Sequence, residues 1–343
     1  MKNNEPSASW TWILLALLTL YIVWGSTYLA IRVGVETFPP FLMGSTRFVV
    51  AGTLLFAAVY WWRGVSMTGR QVFDSAVGAF FMLLGGNGLV GWAEQAIPSG
   101  VTTLVISLNP VFFVVAEWLV SRRGGTSGGP NRWTWAGLIV GFLGLLILVA
   151  PSLGEGSGEV FDLWRLGGLI FACLNWTIGS MYIRHVPKPA EPMAGAAVQM
   201  LWGGPLMLAA SYLAGELNGF RWSDVAPEAW WAWWYLIVAG SLLGYTSFIW
   251  LMKHSSPTLA STYGYVNPIV AVFLGWWFLG EPVGPRIALA SCTIIAGVAM
   301  VSWSKRSLPP AGDGTAENAP EVAPEVAPEI AAENASENAS EKA

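Results

Sequence analysis

The chain is 343 residues long, 54% apolar and only 11% charged, where soluble domains carry roughly 25% charged residues. That composition excludes a soluble fold. The formal charge of −4 misleads, because Asp313 and seven Glu against Lys342 give residues 307–343 a net −7 and leave +3 to residues 1–306. A helix crosses the hydrocarbon core with about 20 apolar residues, and in chain order the candidate spans are 10–33, 40–62, 72–94, 98–120, 133–151, 163–184, 192–214, 229–252, 257–279 and 285–304. Trp10 to Val33 is too long for the apolar core of a secretion signal and lacks a small-residue cleavage site, so it is expected to be a retained first helix. An all-α polytopic membrane protein with ten transmembrane helices follows.

Loop charge orients the spans. One alternate set of loops holds Lys2, Arg63, Arg70, Arg122, Arg123, Arg132, Arg184, Lys188, Lys253, Lys305 and Arg306. The other holds Arg165, Arg221 and Arg286 beside Glu36, Glu155, Glu159, Glu216, Asp224 and Glu228. The basic set is expected in the cytoplasm, with residues 1–9 and the tail, and an even number of spans agrees. Trp230, Trp231, Trp233, Trp234 and Tyr235 fit the outer interfacial belt, and Trp61 and Trp62 the inner one. In the tail, 307–343, Glu recurs every fourth residue from Glu317 to Glu341. Like charges at that spacing oppose a helix and Pro320, Pro324 and Pro328 break it, so disorder is expected.

A repeat divides the rest into 10–151 and 163–304. Trp24-Gly25-Ser26-Thr27-Tyr28 precedes Arg32 as Trp176-Thr177-Ile178-Gly179-Ser180 precedes Arg184, at an offset of 152 that also aligns Pro40 with Pro192 and Arg47 with Gln199. Pro98-Ser99-Gly100 before Asn109-Pro110 matches Pro257-Thr258-Leu259 before Asn267-Pro268, with one residue of slip. Five spans per copy is odd, so the copies are expected to insert in opposite senses, the architecture of alternating access with a solute site at the repeat interface.

The Asn-Pro pairs lie mid-way along spans four and nine, where Pro110 and Pro268 each displace a backbone bond, to the carbonyls of Ile106 and Gly264. Freed carbonyls at membrane depth face protein or a wet cavity, so each break reads as a cavity-lining kink or as one satisfied by a neighbouring helix. Arg47, about 10 Å into its span at 1.5 Å per residue, and Glu94 are expected to pair, as a structural brace or as a gate. Arg32 and Arg184 end their helices and fit snorkelling. Trp24, Ser26, Tyr28, Asn87, Trp92, Asn109, Asn175, Trp176, Tyr263 and Asn267 are the candidate cavity residues, together with Tyr265; such side chains either pack or, gathered round one cavity, suit amphipathic or aromatic solutes.

Several chemistries lack their residues. No Gly-rich Lys-Ser/Thr loop serves ATP, and His185 and His254 have no metal-ligand spacing. Cys173 and Cys292 sit in separate apolar runs and read as small hydrophobes. Neither a catalytic constellation nor a cofactor or metal site is expected, and the chain reads as no enzyme.

These motifs together resemble the drug/metabolite transporter superfamily, EamA group: Trp-Gly-Ser-Thr-Tyr in span one, Arg47 in span two, the two Asn-Pro pairs, Gly280-Glu281 closing span nine, and the phrases Gly86-Asn87-Gly88 and Ala93-Glu94-Gln95. The resemblance covers residues 10–305. It implies ten helices as two inverted five-helix EamA repeats in a bacterial inner membrane, with a cavity lined chiefly by spans 1, 3, 4, 6, 8 and 9. It also implies export of metabolites, amino acids or drugs. An importer or nucleotide-sugar carrier of the same fold is the alternative within the class; a membrane-embedded enzyme and a non-transporting scaffold are the alternatives outside it. The implied partners are a small-molecule solute and the lipid bilayer, not nucleic acid, with monomer and homodimer both open. One departure is Arg122-Arg123-Gly124 where many members close the first repeat with Gly-Glu, which leaves Glu281 without a partner by symmetry.

Overall fold

The computed structural model describes residues 9–123, 131–149, 162–187, 189, 191–255 and 263–306. The acidic tail, residues 1–8, the Pro257-Thr258-Leu259 stretch, the loop holding Glu155 and Glu159, and the side chains of Arg122, Arg123 and Tyr265 lie outside the described residues. Within them the fold is helical, without strands.

In chain order the helices are α1 (Trp10–Gly34), α2 (Pro40–Arg63), α3 (Gly69–Glu94), α4 in two pieces (Ser99–Ile106 and Asn109–Arg123), α5 (Arg132–Val149), α6 (Leu163–His185), α7 (Pro192–Leu213), α8 (Pro227–His254), α9 (Tyr263–Leu279) and α10 (Pro285–Arg306). Seven of them, α1 to α4 and α6 to α8, are long and apolar enough to cross a membrane.

Proline and glycine punctuate these helices as the sequence dictates. Prolines open α2, α7, α8 and α10, where the first-turn N–H would be unpaired anyway. Thr68 and Gln71 form a capping box at α3, and Asp162 accepts from the Trp164 and Arg165 amides at α6. At the other ends Gly64 (φ 69°) stops α2 and Gly280 (φ 63°) follows α9, the left-handed conformation that glycine adopts without Cβ strain.

The bundle is apolar on its outside as well as in most of its core, unlike a water-soluble protein, and it buries a set of polar side chains. Ile139, Phe142, Phe171 and Phe273 are exposed, whereas Thr102, Asn109, Asn175, Gln199, Ser241 and Asn267 are buried. Between apolar helices in lipid, close approach at small residues supplies the association. A Cβ on Gly52 would stand 2.9 Å from the Leu201 amide nitrogen, drawing α2 onto α7, and one on Gly144 would stand 2.7 Å from Ile294, drawing α5 onto α10. Both pairs join equivalent helices of the two sequence repeats.

Three helices carry π-helical stretches: Leu20–Trp24 in α1, Ala79–Gly88 in α3 and Leu236–Tyr245 in α8. Such stretches re-aim side chains and favour functional sites. Here α3 and α8 are repeat equivalents, and all three stretches border one cavity.

Candidate functional site

A cavity lies between α1, α2, α3, α4, α6, α8 and α9. The π-turn of α1 sets Trp24 inward, where its indole Nε1 donates to the Gly240 carbonyl at 3.3 Å. Two glycines on α8 make the room: a Cβ on Gly240 would reach Nη2 of Arg47 at 2.8 Å, and Gly244 lies directly against the Trp24 indole. Arg47 is 7% exposed; its Nε donates to Ser241 Oγ at 2.9 Å and its guanidinium lies 4.9 Å from the Phe48 ring centre. Tyr28, Asn87, Asn109, Tyr245 and Tyr263 complete the polar wall.

A second cavity lies towards the end of the bundle where α1 begins, between α3, α6, α7 and α8, and is lined by Met82, Ser180, Arg184, Gln199, Phe248 and Lys253 among others. The residues between the two cavities are aromatic. Phe248 packs on Trp24 (5.3 Å between ring centres), Trp176 (5.5 Å) and Tyr263 (6.2 Å), while Trp24 meets Tyr263 at 5.0 Å. Beside this layer the Tyr245 hydroxyl donates to the Gln199 amide oxygen.

Polar contacts hold the far end. Glu216 accepts from the Phe41 and Leu42 amides at 3.2 and 3.0 Å, capping α2. Glu281 accepts from the Ser99 amide at 2.8 Å, from Ser99 Oγ and from the Gly100 amide at 3.3 Å, capping α4. Arg165 stacks over Trp92 at 4.3 Å and donates to Gln95 at 2.9 Å. Each of these contacts ties one sequence repeat to the other. At the end where α1 begins, the ties are an exposed Arg63–Glu191 pair at 3.2 Å and the Tyr182 hydroxyl on Asp74 at 2.6 Å.

Of the candidates read from the sequence, Trp24, Tyr28, Asn87, Asn109, Trp176 and Tyr263 line the central cavity, together with Arg47. Four others are placed elsewhere. Ser26 turns to the Tyr235 hydroxyl at 2.6 Å, because one residue along a helix rotates the side chain off the cavity face and gives that place to Thr27. Trp92 sits at the far end beneath Arg165. Asn175 donates to the Phe171 carbonyl and packs on Gly85. Asn267, in its hydrogen-bonding orientation, donates to the Leu20, Tyr21 and Tyr263 carbonyls at 3.2–3.3 Å, which satisfies the π-turn of α1 rather than a solute.

The expected Arg47–Glu94 pair is not formed. Arg47 bonds Ser241, Arg32 donates to the Glu94 backbone carbonyl, and the fully buried Glu94 carboxylate has no hydrogen-bond partner among the described residues. The Asn-Pro pairs also differ. Asn109-Pro110 opens the second piece of α4 after a turn at Ser107–Leu108, while Pro268 sits inside continuous α9. Helix α2 joins the six spans expected around the cavity, through Arg47 and Phe48. Sequence reasoning missed Gly240, Tyr245 and the capping role of Glu281. The i, i+4 glycines before Tyr245 were a usable signal for the first two, whereas a carboxylate capping a helix 182 residues away left none.

Known proteins supply the remaining comparison. The profile of the EamA-like transporter family matches residues 10–150 and 163–303. The inner membrane transporter YedA of Escherichia coli (strain K12) is 35% identical over 303 residues, covering 86% of this chain and 92% of its own. The transporter YoaV of Bacillus subtilis (strain 168) is 23% identical, covering 85% and 97%, and a WAT1-related chloroplastic protein of Arabidopsis thaliana is 26% identical, covering 84% and 68%. A solved crystal structure 19% identical in sequence covers 86% of this chain and 98% of that one at a TM-score of 0.60, and so shares the fold. With two matched halves, apolar membrane-length helices and a cavity between them, this chain is a membrane transporter and belongs to the EamA-like transporter family.

Proposed function

We propose that the protein is a secondary exporter of small organic molecules, working by alternating access between two inverted five-helix repeats with both termini in the cytoplasm. The observation that carries this reading is the pair of cavities on either side of one aromatic layer. In this reading the solute loads from the basic, cytoplasmic end into the second cavity. It passes when Phe248 separates from Trp24 and Trp176, and it leaves when the far-end caps at Glu216 and Glu281 open. Moving one repeat against the other would exchange these contacts without unfolding either repeat. Aromatic walls and few charges suit amphipathic solutes.

Counterflow in proteoliposomes, across labelled amino acids, organic acids and hydrophobic cations, tests the proposal. Saturable exchange of at least one class is expected. Folded, correctly inserted protein that exchanges none of them would sink it.

A further inference from the structure

We propose that the solute carries one anionic group of carboxylate type, and that Arg47 is the side chain that receives it. The inference deepens the exporter reading and rests on it. Among the described residues Arg47 is the single charged member of the central cavity wall. Arg47 is more than nine-tenths buried, and within its guanidinium only Nε has a hydrogen-bond partner, the hydroxyl of Ser241. No described carboxylate forms an ion pair with it, and Glu94 does not line the cavity. The two Nη groups therefore form an unused planar fork beside the cavity, held in place by Ser241, the Phe48 ring and the space left at Gly240.

A buried charge without a partner is costly in a low-dielectric site, and burial of the charge becomes favourable when an opposite charge arrives with matching geometry. A carboxylate meets a guanidinium fork through two parallel hydrogen bonds. The repeat-equivalent Gln199 is neutral and already engaged by Tyr245, so the second repeat supplies no matching charge at this position, and the cations of the second cavity are Arg184 and Lys253 instead. The remaining wall, Trp24, Trp176 and Tyr263 foremost, takes an apolar or aromatic body. A hydrophobic cation would instead face Arg47 with like charge.

Binding of a matched series to the purified full-length protein tests this: indole-3-acetate, the neutral indole-3-ethanol and the cation tryptamine, with a phenyl series alongside. The wild type should bind the anion at least tenfold more tightly than the neutral and cationic analogues. Arg47→Gln should abolish that preference while keeping the neutral analogue's affinity, and Arg47→Lys should restore part of it. Ser241→Ala, which frees Nε but keeps the charge, should weaken the anion two- to fivefold. Equal or tighter binding of the cation, a preference that survives Arg47→Gln, or no binding of any probe by folded wild type overturns the assignment. Charge-selective binding without counterflow of the same anion would sink the exporter reading and leave the site assignment standing.

Discussion

Trp24 and Trp176, equivalent residues of the two repeats at the 152-residue offset, meet edge to face at the centre of the bundle with ring centres 5.7 Å apart and an interplanar angle of 82°. Phe248 packs against both and borders the second cavity. Removing its ring deletes the contact that closes the layer. Phe248→Ala should therefore expose a cysteine placed at Thr27 to a polar thiol reagent added from the cytoplasmic side, with labelling at least severalfold faster than in the parent. Cysteine labelling in oriented vesicles reads the effect. Unchanged labelling would mean that the layer is no barrier.

The two Asn-Pro regions touch, since a Cβ on Gly264, four residues before Pro268, would stand 3.3 Å from Pro110 Cγ. Gly264→Val should push against that ring, and overpacking of this kind costs about 1–3 kcal/mol. Transport should slow roughly tenfold, a change of about 1.4 kcal/mol in barrier. Adding Pro110→Ala removes the obstructing ring and should recover part of the rate. A double variant slower than Gly264→Val alone would show that the contact is not the cause.

Glu281 satisfies three donors at the start of α4. Hydrogen bonds to a charged group contribute about 1.5–3 kcal/mol, so Glu281→Ala should lower thermal stability in detergent by about that amount. Glu281→Gln keeps an acceptor and should cost less. Thermal unfolding of the two variants gives the order, and equal losses would place the effect in packing rather than in the cap.

Arg47 and Glu94 share neither a bond nor a partner. Arg47→Gln and Glu94→Gln should thus add in their stability effects to within about 0.5 kcal/mol. Arg47→Gln with Ser241→Ala should instead couple by about 0.5–2 kcal/mol, a range typical of directly bonded groups. A double-mutant cycle by thermal unfolding decides between these pairs, and strong Arg47–Glu94 coupling would restore the ion pair that the structure does not form.

The proposed topology, ten spans with cytoplasmic termini, predicts that a reporter active only in the periplasm works when fused after Gly156 and stays silent after Gly128 or Ser307. Activity after Ser307 would break the even count.

The helices and the repeat were legible because they rest on local rules. Twenty apolar residues need no distant partner to become a membrane helix, and the prolines at 40, 192, 227 and 285 mark helix starts by missing a donor that no first turn needs. The same holds for Trp24 and Trp176, which the 152-residue offset marks as equivalent from the sequence alone. What tertiary structure alone decided was direction and pairing. Ser26 and Thr27 are neighbours with similar chemistry, yet the helix rotation of about 100° between them gives the cavity face to Thr27. Arg47 could be matched to Glu94 by depth, but a guanidinium bonds only what lies within about 3 Å of its nitrogens, and packing at Gly240 brings Ser241 there instead. Glu281 reads as a loop residue until the fold sets the unpaired amides of Ser99 and Gly100 beside it.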